Sequence, residues 1–258
     1  MDGRRRPLVS AGPRGGSPGG TGFAPRPGYE PRSLWSLRDD AVLEDEEGGR
    51  VLVVRSAVGR VRLPSPHPIV RRTLDRMVLG PVSLENAVDA PRGAFEGPPG
   101  TDVLSALPAA LAEALWRLQH MVVRSIGLDD RLGPVLSVVP VCRQARFRPV
   151  LPSLHQWVRL SCRCTLTVRG VTGELFSPEA CHRVLLHRPE ALFTTRMLQG
   201  YVTPAQAAAE AMAPLLAQAI IAHMAGAGMV TALPGDEPGI SSLYDPEMFD
   251  QFLPQWPD

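Results

Sequence analysis

The fifteen residues from His155 to Arg169, HQWVRLSCRCTLTVR, constrain this chain more than any other stretch. Val158, Leu160, Cys162, Cys164, Leu166 and Val168 alternate with Arg159, Ser161, Arg163, Thr165, Thr167 and Arg169. A repeat of two is that of a β-strand; a helical repeat would mix these apolar residues with the arginines around one cylinder. The pattern predicts one long strand with a dry face and a wet, basic face. The rest of the chain then needs a sheet to pack on.

Further strands are predicted near 41–44, 51–55 and 58–63, with the first two joined as a hairpin at Gly48-Gly49. The run from Pro134 to Cys142 reads as a strand in which Pro140 marks an edge or a bulge, and 174–176 reads as the stub of another. Helical patterns are predicted near 66–79, 102–126, 178–199 and 204–225. Pro108 should kink or divide the second, and Ser177-Pro178-Glu179 looks like a helix start before Cys181, Val184 and Leu185. The last, bent at Pro214, is dry nearly all round, so it belongs in a core or between subunits. Together these imply an α+β fold: an antiparallel or mixed sheet from segments near 41–63 and 134–176, with helices packed on one face.

Three segments are expected. Residues 1–34 form a Gly/Pro/Arg-rich arm of disordered composition, 35–231 a single α+β domain, and 232–258 an acidic-aromatic tail. Arg4, Arg5 and Arg6 read as a solvated tail or as a nuclear-localisation or nucleic-acid contact. No apolar signal region follows them, and the most apolar window, Ala211 to Ala222, is too short to span a bilayer. The four cysteines then read as reduced thiols of a cytoplasmic or nuclear, unsecreted protein.

All 27 Lys+Arg residues are arginine, and asparagine occurs once, at Asn86. That bias points to a GC-rich genome. It also removes every chemistry that needs a lysine: a P-loop phosphate clamp, a Schiff base, a protein-kinase site, a Ser-x-x-Lys acylase. No serine of the expected 35–231 domain lies in a Gly-x-Ser-x-Gly turn, and His-Glu-x-x-His does not occur. The net charge of +1 gives no global attraction to nucleic acid, so any such contact must be local.

The local candidates are few. Arg159, Arg163 and Arg169 with the connector residues Arg143, Arg146 and Arg148 form the best phosphate-binding set, because guanidinium forks match phosphate oxygens. The same face could instead be solvated or paired to the acidic 39–47 segment. Cys142, Cys162, Cys164 and Cys181 have the chemistry of zinc ligands without the spacing of a known zinc motif, and read more simply as core thiols. No cofactor is expected. In the tail, Met248, Phe249, Phe252, Leu253 and Trp256 stand among acids at the spacing of a groove-docking helix, the sharpest candidate for binding another protein. The resulting expectation is a non-enzymatic interaction or assembly protein, such as a viral structural or accessory protein, self-associating through 204–225. The alternative is a nucleic-acid-associated regulator using the arginine face and the tail.

Overall fold

The computed structural model describes residues 30–91, 94, 107–130, 132–208 and 212–233. The fold is α+β. Its strands are all antiparallel, but the segments near 41–63 and 134–176 build separate sheets rather than one.

The smaller sheet is the predicted hairpin extended by one strand: β2 (Val42–Glu46), β3 (Val51–Ser56) and β4 (Gly59–Pro64). Gly48 and Gly49 turn it with φ of 66° and 87°, left-handed values that a glycine adopts without a Cβ penalty. The acidic 39–47 segment is spent locally. Asp40 pairs with Arg38, Asp45 with Arg71, and Glu46 with Arg60 and Arg62, so it does not reach the connector arginines.

The larger, six-stranded sheet runs in the order β1 (Arg32–Leu37), β5 (Val122–Gly127), β6 (Pro134–Pro140), β10 (His182–Leu186), β9 (Thr172–Phe176), β8 (Thr165–Arg169). β1 begins at Arg32, inside the segment assigned to the arm. Two of the strands fall where helices were predicted. The 102–126 pattern yields α3 (Ala109–Arg117), which starts just after Pro108, and then passes into β5, where consecutive valines favour extended backbone. Ser177-Pro178-Glu179 caps no helix: Ala180 N–H bonds back to the Ser177 carbonyl at 3.2 Å and closes a turn into β10. Val184 and Leu186 of β10 are buried at alternate positions, the signature of a strand.

The organising stretch is itself divided. Cys164 N–H donates to the Ser161 carbonyl at 3.0 Å, and that turn separates β7 (Val158–Leu160) from β8. β7 pairs with β11 (Val230–Ala232) and bridges to Val202, while β8 joins the larger sheet. Cys162 is consequently exposed instead of lying on a continuous dry face.

Two cores result. Helix α1 (Pro68–Val78), capped by the His67 ring at Ile69 N–H and followed by the short α2 (Leu84–Val88), packs with α3 over the small sheet and the end of β1, around Trp35, Leu74, Met77 and Leu111. Helices α4 (Pro189–Met197), α5 (Pro204–Ala208) and α6 (Pro214–Gly226) cover the large sheet around Leu136, Val138, Leu175 and Ile220. The 204–225 pattern is therefore two helices. Pro214 opens the second instead of bending a single one, since proline at a first helical position sacrifices only an N–H that has no partner there. Every residue of α6 from Leu216 to Met224 is buried within its own chain, which accounts for its dryness without a subunit interface.

Candidate functional site

The face of the large sheet away from α4, α5 and α6 carries a small polar network. Ser125 and Ser137 face each other across β5 and β6, their hydroxyls 2.7 Å apart, and His187 Nε2 lies 2.9 Å from the Ser137 hydroxyl. Ser125 donating to Ser137, and Ser137 donating to a neutral His187, satisfies all three groups. Burial pushes the His187 imidazole below its ordinary pKa, and the charge of Asp39 opposes that shift. Ser137 and His187 open onto a cavity of about 410 Å³, with Val139 and Leu185 on its floor and Leu79 and Arg38 at its rim.

Ser137 and His187 have the separation of a nucleophile and its base. The serine's setting differs from that of a working nucleophile. It lies mid-strand, registered with Ser125 on one side and Leu185 on the other, so its backbone N–H is spent in the sheet ladder. A strained strand-to-helix turn would have supplied both exposure and an oxyanion donor. Arg38, the cation at the cavity rim, is held by Asp40 and by the Pro140 carbonyl.

The second notable place is the outer edge of the large sheet. β8 and β9 form a hairpin through Gly170 (φ 62°) and Val171, with Arg169 opposite Thr172 as the closing pair. A positive φ at the first central position alone is the type II′ turn, whose twist matches paired strands. In a two-residue hairpin the closing pair is hydrogen-bonded. Arg169, Thr167 and Thr165 therefore direct their backbone groups at β9, and Val168 and Leu166 direct theirs outward. The outer side of β8 has no strand partner among the described residues. On the same hairpin Val168, Val171 and Phe176 are 37%, 63% and 43% exposed.

The far edge of the large sheet and both edges of the small three-stranded sheet are guarded. β1 is bridged by Val82, with Trp35 N–H to the Val82 carbonyl at 2.8 Å and the return bond at 2.9 Å. The small sheet's edges are charged, with Glu44, Asp45 and Glu46 on β2 and Arg60 and Arg62 on β4. Covers and charges of this kind keep exposed edges from pairing with other chains. Among the described residues β8 has no strand or bridge covering its outer side, and before Arg169 it carries no charge.

The arginines singled out in the sequence make separate contacts. Arg159 lies over the Tyr201 ring, 4.6 Å from its centroid, Arg163 pairs with Glu179 at the surface, and Arg146 donates to the Arg143 and Ala145 carbonyls. Arg169 ends β8, and the Arg148 carbonyl packs against Gly226. The cysteines separate into two pairs. Cys142 lies beside Cys181 near the start of β10 and pushes the Cys181 thiol above its ordinary pKa, while Cys164 contacts the Met229 sulfur at 3.5 Å, near Cys162. Among the described residues no three His, Cys, Asp or Glu side chains gather closely enough to hold a metal ion. No helix there is long and apolar enough to cross a membrane. Met248, Phe249, Phe252, Leu253 and Trp256 lie outside the described residues.

The Ser125–Ser137–His187 network carried no sequence signal, because three isolated residues on separated strands meet only through register. The β8 edge carried a partial one: alternation and the Gly170 turn mark a hairpin, but not its place at the end of a sheet. No protein-family model matches this chain, and no curated protein matches it in sequence.

Proposed function

We propose that this chain is a non-enzymatic assembly protein that associates by adding a strand from another chain to the outer edge of β8. One observation carries the reading: among the described residues β8 is the unguarded edge of the six- and three-stranded sheets, and its hairpin exposes Val168, Val171 and Phe176. Strand addition draws its affinity from main-chain bonds and its selectivity from the alternate side chains beside them. The reading moves self-association away from 204–225, most of whose described apolar residues already fill the chain's own core, with Leu215 exposed.

The test is native mass by light scattering over a rising concentration series, for the full chain and for Val168→Pro. Proline removes an outward donor at that position and leaves the bonds to β9 in place. The unmodified chain should rise above 27.9 kDa and the variant should stay there. Should Val168→Pro lose its fold by circular dichroism, Val168→Lys puts a charge at the same edge position with no backbone change. A mass of 27.9 kDa for the full chain throughout the series would sink the reading.

A further inference from the structure

We infer that the strand which adds to β8 is β8 of a second copy, in one register, with a two-fold axis passing beside Thr167. This rests on the sheet-edge reading above and specifies its partner. The outward backbone groups belong to Leu166 and Val168, which are symmetric about Thr167. Antiparallel pairing about that point sets Leu166 opposite Val168 of the second copy and Val168 opposite its Leu166. Each pair then exchanges both its N–H···O bonds, and Thr167 faces Thr167 in the intervening position, where side chains lie closest. No other residue of β8 centres a self-complementary pairing that uses both outward residues.

The side chains support the same register. Residues directly opposite across a strand pair share a face. Leu166 already packs on the helix-covered core, while Val168 beside it is 37% exposed and has only the bare Gly173 opposite it on β9. Pairing about Thr167 would flank each Val168 with the second copy's Leu166 and so continue the apolar face across the axis. On the other face threonine meets threonine at the axis. Arg169 lies opposite Thr165 of the second copy, and the two Arg169 residues are held about 13 Å apart along the strand direction, so like charges do not meet. The pairing is isologous and closes on itself, giving a dimer and not a fibre. With only five residues in β8, it should be a weak and concentration-dependent contact.

Register is tested by single cysteines in the full chain carrying Cys162→Ser, which removes the exposed native thiol. Under oxidised glutathione, Thr167→Cys should form an intermolecular disulfide at least tenfold faster than Thr165→Cys. The first residue faces its own copy, and the second lies about 13 Å from its own. Thermal unfolding of both variants checks that they fold alike. Equal rates for the two, in a chain whose mass still rises with concentration and still falls on Val168→Pro, would overturn the register and leave the sheet-edge reading standing. A full chain that stays monomeric while its Leu166 and Val168 amides are protected from exchange would show that its own segment covers the edge. That outcome overturns the second copy as occupant. A monomer with unprotected amides would remove both proposals.

Discussion

Arg188 grips Asp130 with both arms of its guanidinium, Nη1 donating to Oδ2 at 2.6 Å and Nη2 to Oδ1 at 2.8 Å, while Nη2 also reaches the Gly133 carbonyl at 2.7 Å. The pair ties the connection between β5 and β6 to the start of α4. The Arg188 hydrogen bonds hold the Asp130 carboxyl down at about 2, against an ordinary 3.8. Its contribution to stability is complete above about pH 4 and is lost as pH falls toward 2. Asp130→Asn should cost about 1–2 kcal/mol at pH 7, less than a fully buried pair because Asp130 keeps contact with water. Urea unfolding at pH 7 measures it, and an unchanged midpoint would mean that the pair contributes nothing.

Two buried histidines make the fold acid-sensitive at milder pH. His182 and His223 pack on the Phe147 ring at centroid distances of 5.9 and 5.4 Å. Burial lowers His182 to about 4, and burial with the nearby charge of Arg124 lowers His223 to about 3. The unfolded chain takes up these protons near pH 6.5 and the folded chain does not, so stability is complete above about 6.5 and falls below it. Each histidine should contribute a slope approaching about 1.4 kcal/mol per pH unit near pH 5, with that of His182 fading toward pH 4. Unfolding midpoints at several pH values would show the slope, and His182→Leu should reduce it. A flat profile over that range contradicts the assignment.

Gly226 is the last residue of α6, and its role is close approach. A Cβ there would overlap the Arg148 carbonyl oxygen and meet Phe147 Cε2 at 3.0 Å. Gly226→Ala should cost about 1–3 kcal/mol through displaced backbone. Gly200→Ala, with nothing within 4 Å of the added carbon, is the control and should change stability by less than about 0.5 kcal/mol. Equal effects at the two sites would remove the steric explanation.

Ser137→Ala should cost about 1–2 kcal/mol, since it strips the His187 and Ser125 side chains of their shared partner on the floor of the cavity. A fluorophosphonate probe, which labels activated serines, should leave the unmodified full chain unlabelled. Labelling that disappears in Ser137→Ala would make Ser137 a nucleophile and overturn the non-enzymatic reading.

The hairpin at Gly48-Gly49, helix α1 after Pro68 and strand β6 were legible because each combines a periodic apolar pattern with a local stop or start. β10 was not. Its five residues are too few to separate a buried strand from a helical turn, and the preceding Ser177-Pro178-Glu179 imitates a cap. Its pairing with Val139 and Val138 of β6 on one side and with Leu175 of β9 on the other decided it.

Composition and periodicity settled the α+β class, the dryness of α6 and the absence of lysine chemistry, since each depends on which residues occur and at what spacing. Tertiary structure alone decided where the alternating 155–169 stretch breaks, which sheet each half joins, and which edge stays open. The turn at Ser161–Cys164 leaves the repeat of two intact, so nothing in the pattern marks it. β7 was claimed by Val202 and β11, and β8 by β9. Ser125, Ser137 and His187 met for the same reason: their contact depends on the register between distant strands, and register is a property of the assembled sheet.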